Sequence, residues 1–324
     1  MLKPIHLLLA GVVVTAIGVA PTHAGNYPSK PITLVSPKAA GGAADLAARA
    51  FAVIAERYIG QPVRVVNKKG GAGVPGIMSV RDAKADGHTL LAALSPMMLT
   101  APIFKKKNPY GTFDFTYISI LEEQPITFAV AKNSPHKDIK SLLAAINKGD
   151  KPIKVGVASK IGLMTMAYHG LSHDLKASRT KLQPVPYKNG PSAARGLLAG
   201  DVDFASINLA SINAALKSGD ARLLMVTTST RNFAHPNTPT AKENSLPTVN
   251  GIVLWTGVVG PKGLPKEVID TWQAALPKIF ADPDYKALLT KRGASLVGTL
   301  PSETEDIVKG QQGAFVTLKK NLGN

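Results

Sequence analysis

The sequence predicts an α/β fold in which parallel strands are covered by helices. Short apolar runs alternate with stretches of helical periodicity along most of the chain, and glycine- or proline-containing turns separate them. The chain has 324 residues, of which 45% are apolar. It is therefore long enough for two ordinary domains and far too apolar to be disordered.

The first strand–helix unit shows the pattern most clearly. The run from Ile32 to Ser36 is typical of a buried strand and is stopped by Pro37. From Ala43, apolar residues at helical spacing among many alanines predict a helix that ends near Gly60. Further strands are predicted over residues 63–66, 89–94, 154–157, 182–185, 202–207 and 252–259. A loop is predicted over residues 70–76, followed by a helix that ends at about residue 83. Other helices are predicted over residues 162–174 and 192–199, and three more begin at Pro265, Pro283 and Pro301.

The first 24 residues have the pattern of a secretory signal peptide. Lys3 provides a positive charge, and residues 7–20 form an apolar stretch. Residues 22–24 then have the small outer residues that a signal peptidase accepts before its cleavage site. A membrane anchor is the alternative, but the apolar run is short and polar residues follow it directly. We therefore expect export, with cleavage after Ala24.

Composition excludes several classes of protein. Without cysteine, the chain has no disulfide framework, no thiolate nucleophile and no cysteine-ligated zinc. Its net charge is +17, but the excess is spread evenly and only 6% of residues are aromatic, which argues against nucleic-acid binding. The densest basic run, Lys105 to Lys107, is interpreted as a solvated loop. The charge favours steering of small anions.

The predicted topology places a ligand site at one edge of the sheets. In parallel sheets the ligand lies beyond the carboxyl ends of the strands, where loops enter helices. Several of these loops contain glycine, and the exposed N–H groups of the helices that follow favour an anion. Such a site needs neither a general base nor a nucleophile.

The segment from Gly71 to Gly76 matches G-x-G-x-x-G only formally. A dinucleotide fold needs these glycines directly after a strand, whereas residues 67–70 intervene, and no acid stands at a clear strand end about twenty residues later. We therefore expect no cofactor. The glycines instead allow the backbone to approach a small ligand.

A serine hydrolase remains an alternative. Gly190 to Ala194 resembles a nucleophile elbow around Ser192, and Asp203 and His235 follow in the order of α/β hydrolases. The last position of the motif is alanine, however, and Ser192 is more simply a residue of a helix N-terminus.

His169 and His173 have the spacing of a zinc-binding pair on a helix. The general base of a metalloprotease is missing, because Gly170 follows the first histidine. The pair is interpreted as a surface feature, and no metal is expected.

Short motifs are spread in order over nearly the whole chain. They begin at Tyr27, Gly41, Gly60, Asp86 and Pro186, and they are followed by residues 197–203, 255–257 and 263–268. These segments resemble those of the Bug/TctC family of extracytoplasmic solute receptors, which typically has Y-P-x-K-P-I, P-G-G-x-x-D, G-Q-P-V, D-G-Y-T-L-L and P-Y-K-G. Each match is weak alone, but together they are specific.

The resemblance implies a type II periplasmic-binding-protein-like fold, with two α/β domains around a ligand cleft. Residues 25–128 and 230–324 would form domain 1, and residues 129–229 an inserted domain 2, with crossing strands near 127–131 and 225–229. Family members are periplasmic and are not enzymes. They bind dicarboxylic, tricarboxylic or aromatic acids and deliver them to membrane permease subunits of a tripartite tricarboxylate transporter. We also expect a monomer.

The resemblance and the strand-end rule together give the expected ligand-binding residues. The family holds its ligand largely through main-chain groups and ordered waters at the loop that matches residues 39–45. The expected residues are Lys38, Ala39, Ala40, Gly41, Gly42, Asp45, Gly70, Gly73, Gly76, Ser95, Ser159, Gly162, Thr165, Tyr187, Asn189 and Asp203.

The sequence departs from the family pattern at two places. Lys38 stands in the segment where the family usually has an aromatic residue and a proline, and it could lie beside a ligand carboxylate or point to solvent. Leu163 and Met166 occupy positions that are commonly polar. They either favour a ligand with an apolar or aromatic body or belong to the core.

Overall fold

The computed structural model describes residues 27–158, 162–178 and 180–322. The predicted signal peptide and Ser159 lie outside these ranges. The strands are β1 Ile32–Ser36, β2 Val63–Asn67, β3 Thr89–Leu94, β4 Phe115–Ala131, β5 Ile153–Ala158, β6 Leu182–Tyr187, β7 Phe204–Asn208, β8 Ala221–Val226, β9 Val253–Pro261 and β10 Ser295–Leu296. The helices are α1 Ala43–Ile59, α2 Val74–Arg81, α3 Ala101–Phe104, α4 Ile139–Lys148, α5 Leu163–Asp174, α6 Gly190–Ala199, α7 Leu209–Ser218, α8 Lys266–Ala281, α9 Pro283–Arg292 and α10 Pro301–Leu322.

One part of the sheet is built on the strands nearest the N-terminus. β1 lies between β2 and β3 in parallel, with Leu34 opposite both Val65 and Leu90. β9 then pairs with β3 in the antiparallel direction, and β4 is antiparallel to β9. The prediction of parallel sheets is therefore only partly correct, because β9 runs opposite to its neighbours β3 and β4 and makes the sheet mixed.

β4 connects this part of the sheet to the second part. Its segment up to Pro125 pairs with β9, whereas from Ile126 onward it pairs with β7, and β8 lies on its other side. β5 lies between β6 and β7 in parallel. Thr227 anchors the segment through which the chain leaves β8 and returns to the first part of the sheet. Its hydroxyl donates to the carbonyl of Ile252 at 2.7 Å, and its N–H donates to the carbonyl of Ile126 at 3.0 Å.

Helices cover both parts and create the core. In the first part, α1 and α8 pack on the sheet, and the rings of Phe51 and Trp272 stack with centroids 5.8 Å apart. In the second part, α6 and α7 cover β7 through residues such as Leu197 and Ile212. Full burial of each large apolar side chain contributes about 1.5–3 kcal/mol, so the two layers hold the strand ends in place.

Candidate ligand-binding site

The loop after β1 is shaped by the buried carboxylate of Asp45. This residue lies in the first turn of α1, where it accepts hydrogen bonds from the Gly41 N–H at 2.9 Å and from Asn67 Nδ2 at 2.7 Å. Arg49, one helical turn later, adds an ion pair at 3.0 Å. Asp45 was expected to bind ligand, but these contacts give it the role of building the loop.

The same contacts keep Asp45 ionised. Burial by itself would raise the pKa of Asp45, but the hydrogen bonds from Arg49, Asn67 and the Gly41 N–H outweigh it and hold this pKa below its ordinary value. Asn67 also donates to the carbonyl of Lys38 at 3.1 Å, which fixes the main chain of the loop. Gly41 has φ +78°, a conformation that glycine adopts without strain.

Two of the expected glycines allow close packing of α2 on this loop. A Cβ atom at Gly73 would lie 3.1 Å from the carbonyl oxygen of Pro37, and one at Gly76 would lie 2.8 Å from that of Lys68. Gly76 was expected in a loop, but α2 already begins at Val74, because a 3-10 turn over Gly71–Gly73 continues directly into it. Both glycines therefore serve the site indirectly, because they let α2 pack closely against the loop after β1.

Several helices that follow strand ends begin without a side-chain cap. Among the side chains that the structure describes, none caps α1 at Gly42, α5 at Gly162 or α7 at Asn208. In contrast, α4 and α6 are capped by the side chains of Asp138 and Asn189. The first N–H groups of an uncapped helix can donate to an anion, and the helix dipole favours the negative charge.

A cavity of about 280 Å³ lies between Lys38 of the loop after β1 and Gly162 at the start of α5. Its wall is mainly apolar, with two lysines, one tyrosine and one threonine. It is lined by Lys38, Ala72, Leu94, Pro96, Met97, Thr100, Ala101, Lys105, Tyr110 and Gly162. Of the expected site residues, Lys38 and Gly162 are brought together here.

Four polar side chains line the cavity, and one of them, Thr100, donates its hydroxyl to the Pro96 carbonyl at 2.9 Å. Burial lowers the pKa of Lys38, and the nearby charge of Lys105 lowers it further. Burial raises the pKa of Tyr110 to about 12, so its hydroxyl stays protonated at neutral pH. The sequence predicts a solvated run from Lys105 to Lys107, but Lys105, which follows the end of α3, lines the cavity, and only Lys106 and Lys107 are exposed. A sequence pattern of consecutive lysines gives no sign of this difference.

Other expected residues have structural partners. Ser95 is fully buried, and its hydroxyl bridges the Val253 carbonyl at 3.0 Å and the Trp255 N–H at 3.2 Å. Thr165 is buried, with its hydroxyl 3.4 Å from the Ala158 carbonyl. Asn189 accepts from the Ser192 N–H at 2.9 Å. Ala39, Ala40 and Gly70 are exposed on their loops.

Tyr187 and Asp203 are directed away from the cavity. The Tyr187 ring fills the space that a Cβ at Gly196 would need, so it packs under α6. Asp203 precedes β7 and accepts from the Lys154 N–H at 2.7 Å, at the amino ends of the strands. Ligands in such sheets bind at the opposite, carboxyl ends, and we do not keep Asp203 in the site.

The two positions where the family is commonly polar are in the core. Leu163 and Met166 are 4% and 1% exposed and belong to one large apolar cluster with Phe204. Neither lines the cavity. Their apolar character is therefore explained by packing between α5 and the sheet.

The groups of the hydrolase alternative have separate partners. The Ser192 hydroxyl donates to Asn189 at 2.8 Å and accepts from Arg195 at 3.2 Å, while Asp203 holds the main chain of Lys154. His235 lines a different pocket, together with Thr290 and Gly293 at the end of α9. This arrangement does not form a catalytic triad.

His169 and His173 both lie on α5. Nδ1 of His173 is 3.1 Å from the Thr248 hydroxyl. Within the described ranges, no three histidine, aspartate or glutamate side chains are grouped as metal ligands would be.

In the same ranges, every helix is too short or too polar to span a bilayer.

Comparison with known proteins identifies the family. The family model described as tripartite tricarboxylate transporter family receptor, TctC, matches residues 47–315. A UPF0065 protein encoded between tcbD and tcbE in Pseudomonas sp. strain P51 is 32% identical over 289 residues, which cover 88% of this chain and 84% of the relative.

Solved structures agree in fold. A TctC solute-binding protein from Polaromonas is 24% identical, with a TM-score of 0.81 over 91% of this chain and 99% of its own. MatC from Rhodopseudomonas palustris, solved with bound malate, is 25% identical, with a TM-score of 0.68 over 90% of this chain and 99% of its own. The expected periplasmic-binding-protein fold is thereby confirmed. The chain belongs to the TctC family of solute-binding receptors, which are not enzymes.

Proposed function

We propose that this receptor captures a small dicarboxylic, tricarboxylic or aromatic acid in the cavity beside Lys38 and delivers it to the permease of a tripartite tricarboxylate transporter. The observation that carries the proposal is the cavity itself, where two lysines and the uncapped start of α5 surround apolar walls. Such a wall suits the carbon skeleton of an acid, and the polar groups suit its carboxylates. The malate complex of MatC supports this ligand class.

The proposed binding motion is closure of two domains. We propose that residues 129–229 form a domain inserted between residues 25–128 and 230–324. β4 and the segment at Thr227 provide two connections between them, and the cavity takes Lys38 from one and Gly162 from the other. A ligand that contacts both would favour the closed state.

Export to the periplasm completes the proposal. It requires removal of residues 1–24, and N-terminal sequencing of protein recovered from the periplasmic fraction tests this directly. A mature chain that begins at Gly25 supports export, whereas an intact Met1 would contradict it. Size-exclusion chromatography with light scattering tests the proposed monomer.

The ligand class is tested by a thermal-shift screen of the mature protein against dicarboxylic, tricarboxylic and aromatic acids. A ligand at 100 times its Kd should stabilise the folded state by about 2.7 kcal/mol, which shifts the melting temperature visibly. Neutral amides of the same acids are the matched controls. A screen in which no acid stabilises the protein more than its amide would refute the proposed ligand class.

Delivery needs a separate experiment. Uptake of the acid found in the screen should be lost in cells that lack this receptor and restored by the wild-type gene. Uptake that is unchanged by the deletion would mean that the protein binds the acid without serving a permease.

A further inference from the structure

Lys38 and Lys105 enter the same cavity from separate supports. The main chain of Lys38 is fixed through its carbonyl, which accepts from Asn67. Lys105 directly follows α3, and its N–H donates to the Ala101 carbonyl at 3.1 Å. Both side chains are half-buried, whereas the next two lysines of the run are exposed. The two ammonium groups are therefore presented by anchored segments.

Neither lysine of this pair forms an ion pair with a carboxylate of the described residues. Burial and the nearby charge of Lys105 both lower the pKa of Lys38. Within the described ranges, the ion pairs formed by lysines use other residues, such as Lys30, Lys148, Lys266 and Lys309. Leu94, Met97 and Ala101 form apolar wall beside the pair and are each less than 9% exposed. Such a wall weakens screening by water and strengthens both repulsion within the pair and attraction to an anion.

We propose that Lys38 and Lys105 act together as a charge-selecting pair, which favours a ligand with two negative charges over a singly charged ligand of the same size. This inference rests on the proposed function, because it concerns the same cavity. A single carboxylate neutralises one ammonium group and leaves the other charged and half-buried, which costs electrostatic free energy. A second negative charge removes that cost, so the second carboxylate contributes more here than it would in water.

The test compares diacids with their own monoesters. Succinate, glutarate, adipate and isophthalate are titrated calorimetrically beside the corresponding monomethyl esters, which lose one charge and are larger by only one methyl group. In the wild type, at least one diacid should bind about tenfold or more tightly than its ester, as expected for a charged hydrogen bond. Lys38→Met and Lys105→Met should each remove most of this preference. Lys106→Met, which changes the neighbouring exposed lysine, should preserve it.

The outcomes separate the two proposals. If a diacid and its ester bind equally well, or if the preference survives in both pocket variants, the charge-selecting pair is refuted while the carboxylate receptor stands. If no acid of the series binds, the charge-selecting pair is refuted, and the thermal-shift screen, which also contains tricarboxylic and other aromatic acids, decides the ligand class separately.

A second measurement is independent of any ligand. In protein whose lysines carry ¹³C-methyl groups, the NMR titration of Lys38 should move to higher pH in Lys105→Met and stay unchanged in Lys106→Met. An unchanged titration in Lys105→Met would show that the two groups do not interact and would overturn the inference.

Discussion

At the scale of single residues, Asp45 is the side chain on which the ligand loop depends. Asp45→Asn removes the ion pair with Arg49 and weakens the acceptor of three donors. We expect a loss of about 1–3 kcal/mol in the free energy of unfolding, measured by urea denaturation at pH 7. Asp82→Asn is the matched control, since Asp82 is exposed and pairs with its neighbour Arg81. Equal effects of the two substitutions would contradict this role of Asp45.

The contribution of Asp45 should also depend on pH. Its pKa is lower in the folded state than in the unfolded chain, so its stabilisation is present above the unfolded value of about 3.9. It is lost as the pH falls through the lowered folded pKa. The stability difference between the wild type and Asp45→Asn should therefore be constant near neutral pH and should shrink in acid.

Lys38 should make ligand affinity sensitive to alkaline pH. A bound carboxylate favours the charged ammonium group, and burial together with Lys105 has lowered the pKa of Lys38 in the free protein. As the pH rises through this lowered pKa, the charged fraction falls and the Kd should increase. In Lys38→Arg the guanidinium stays charged, so the Kd should change less over the same range. Parallel pH profiles for the two proteins would count against a direct role of Lys38.

At the scale of elements, the close contact between α2 and the loop after β1 holds that loop in position at the site. In Gly76→Ala the new Cβ would lie 2.8 Å from the Lys68 oxygen and 3.1 Å from Pro37 Cα. Because both are backbone atoms, we expect a destabilisation of about 1–3 kcal/mol, with weaker ligand binding as the loop shifts. Gly310→Ala is the control in α10, where a Cβ meets nothing within 4 Å. Stability measurements that rank the two variants equally would refute the packing argument.

The sequence predicted the repeating strand–helix units well, and the reasons are local. β1, α1 and β3 have bounds close to those expected, because each is a clear apolar run or helical stripe ended by glycine or proline. β4 was not predicted as one strand. Glu122, Glu123 and Pro125 interrupt its apolar pattern, and proline argues against a strand interior. Glu122 is accommodated by a buried ion pair with Arg292, a partner far along the chain.

The site was predictable only in part. The strand-end rule found the loop of Lys38 and the start of α5 at Gly162. It gave no direction for individual side chains, so Ser95 and Tyr187 were included although both have structural partners. It also missed Lys105, because the turn after α3 that directs this side chain inward is set by tertiary packing.

At the scale of the whole molecule, the proposed closure predicts a change in shape. Small-angle X-ray scattering should show a smaller radius of gyration when the acid found in the screen is added at saturation. The wild type in the presence of the neutral amide serves as the control. An unchanged radius at saturation would mean that the ligand binds without closure of the two domains.

The central claim is that this chain binds an acid in the cavity lined by Lys38. Calorimetric titration of the mature wild type, Lys38→Met and Lys106→Met with the acids of the screen tests it most directly. We predict binding of at least one acid with a stoichiometry of one, weakened about tenfold or more in Lys38→Met and unchanged in Lys106→Met. Binding that is identical in all three proteins would place the site elsewhere, and no binding of any acid would contradict the account itself.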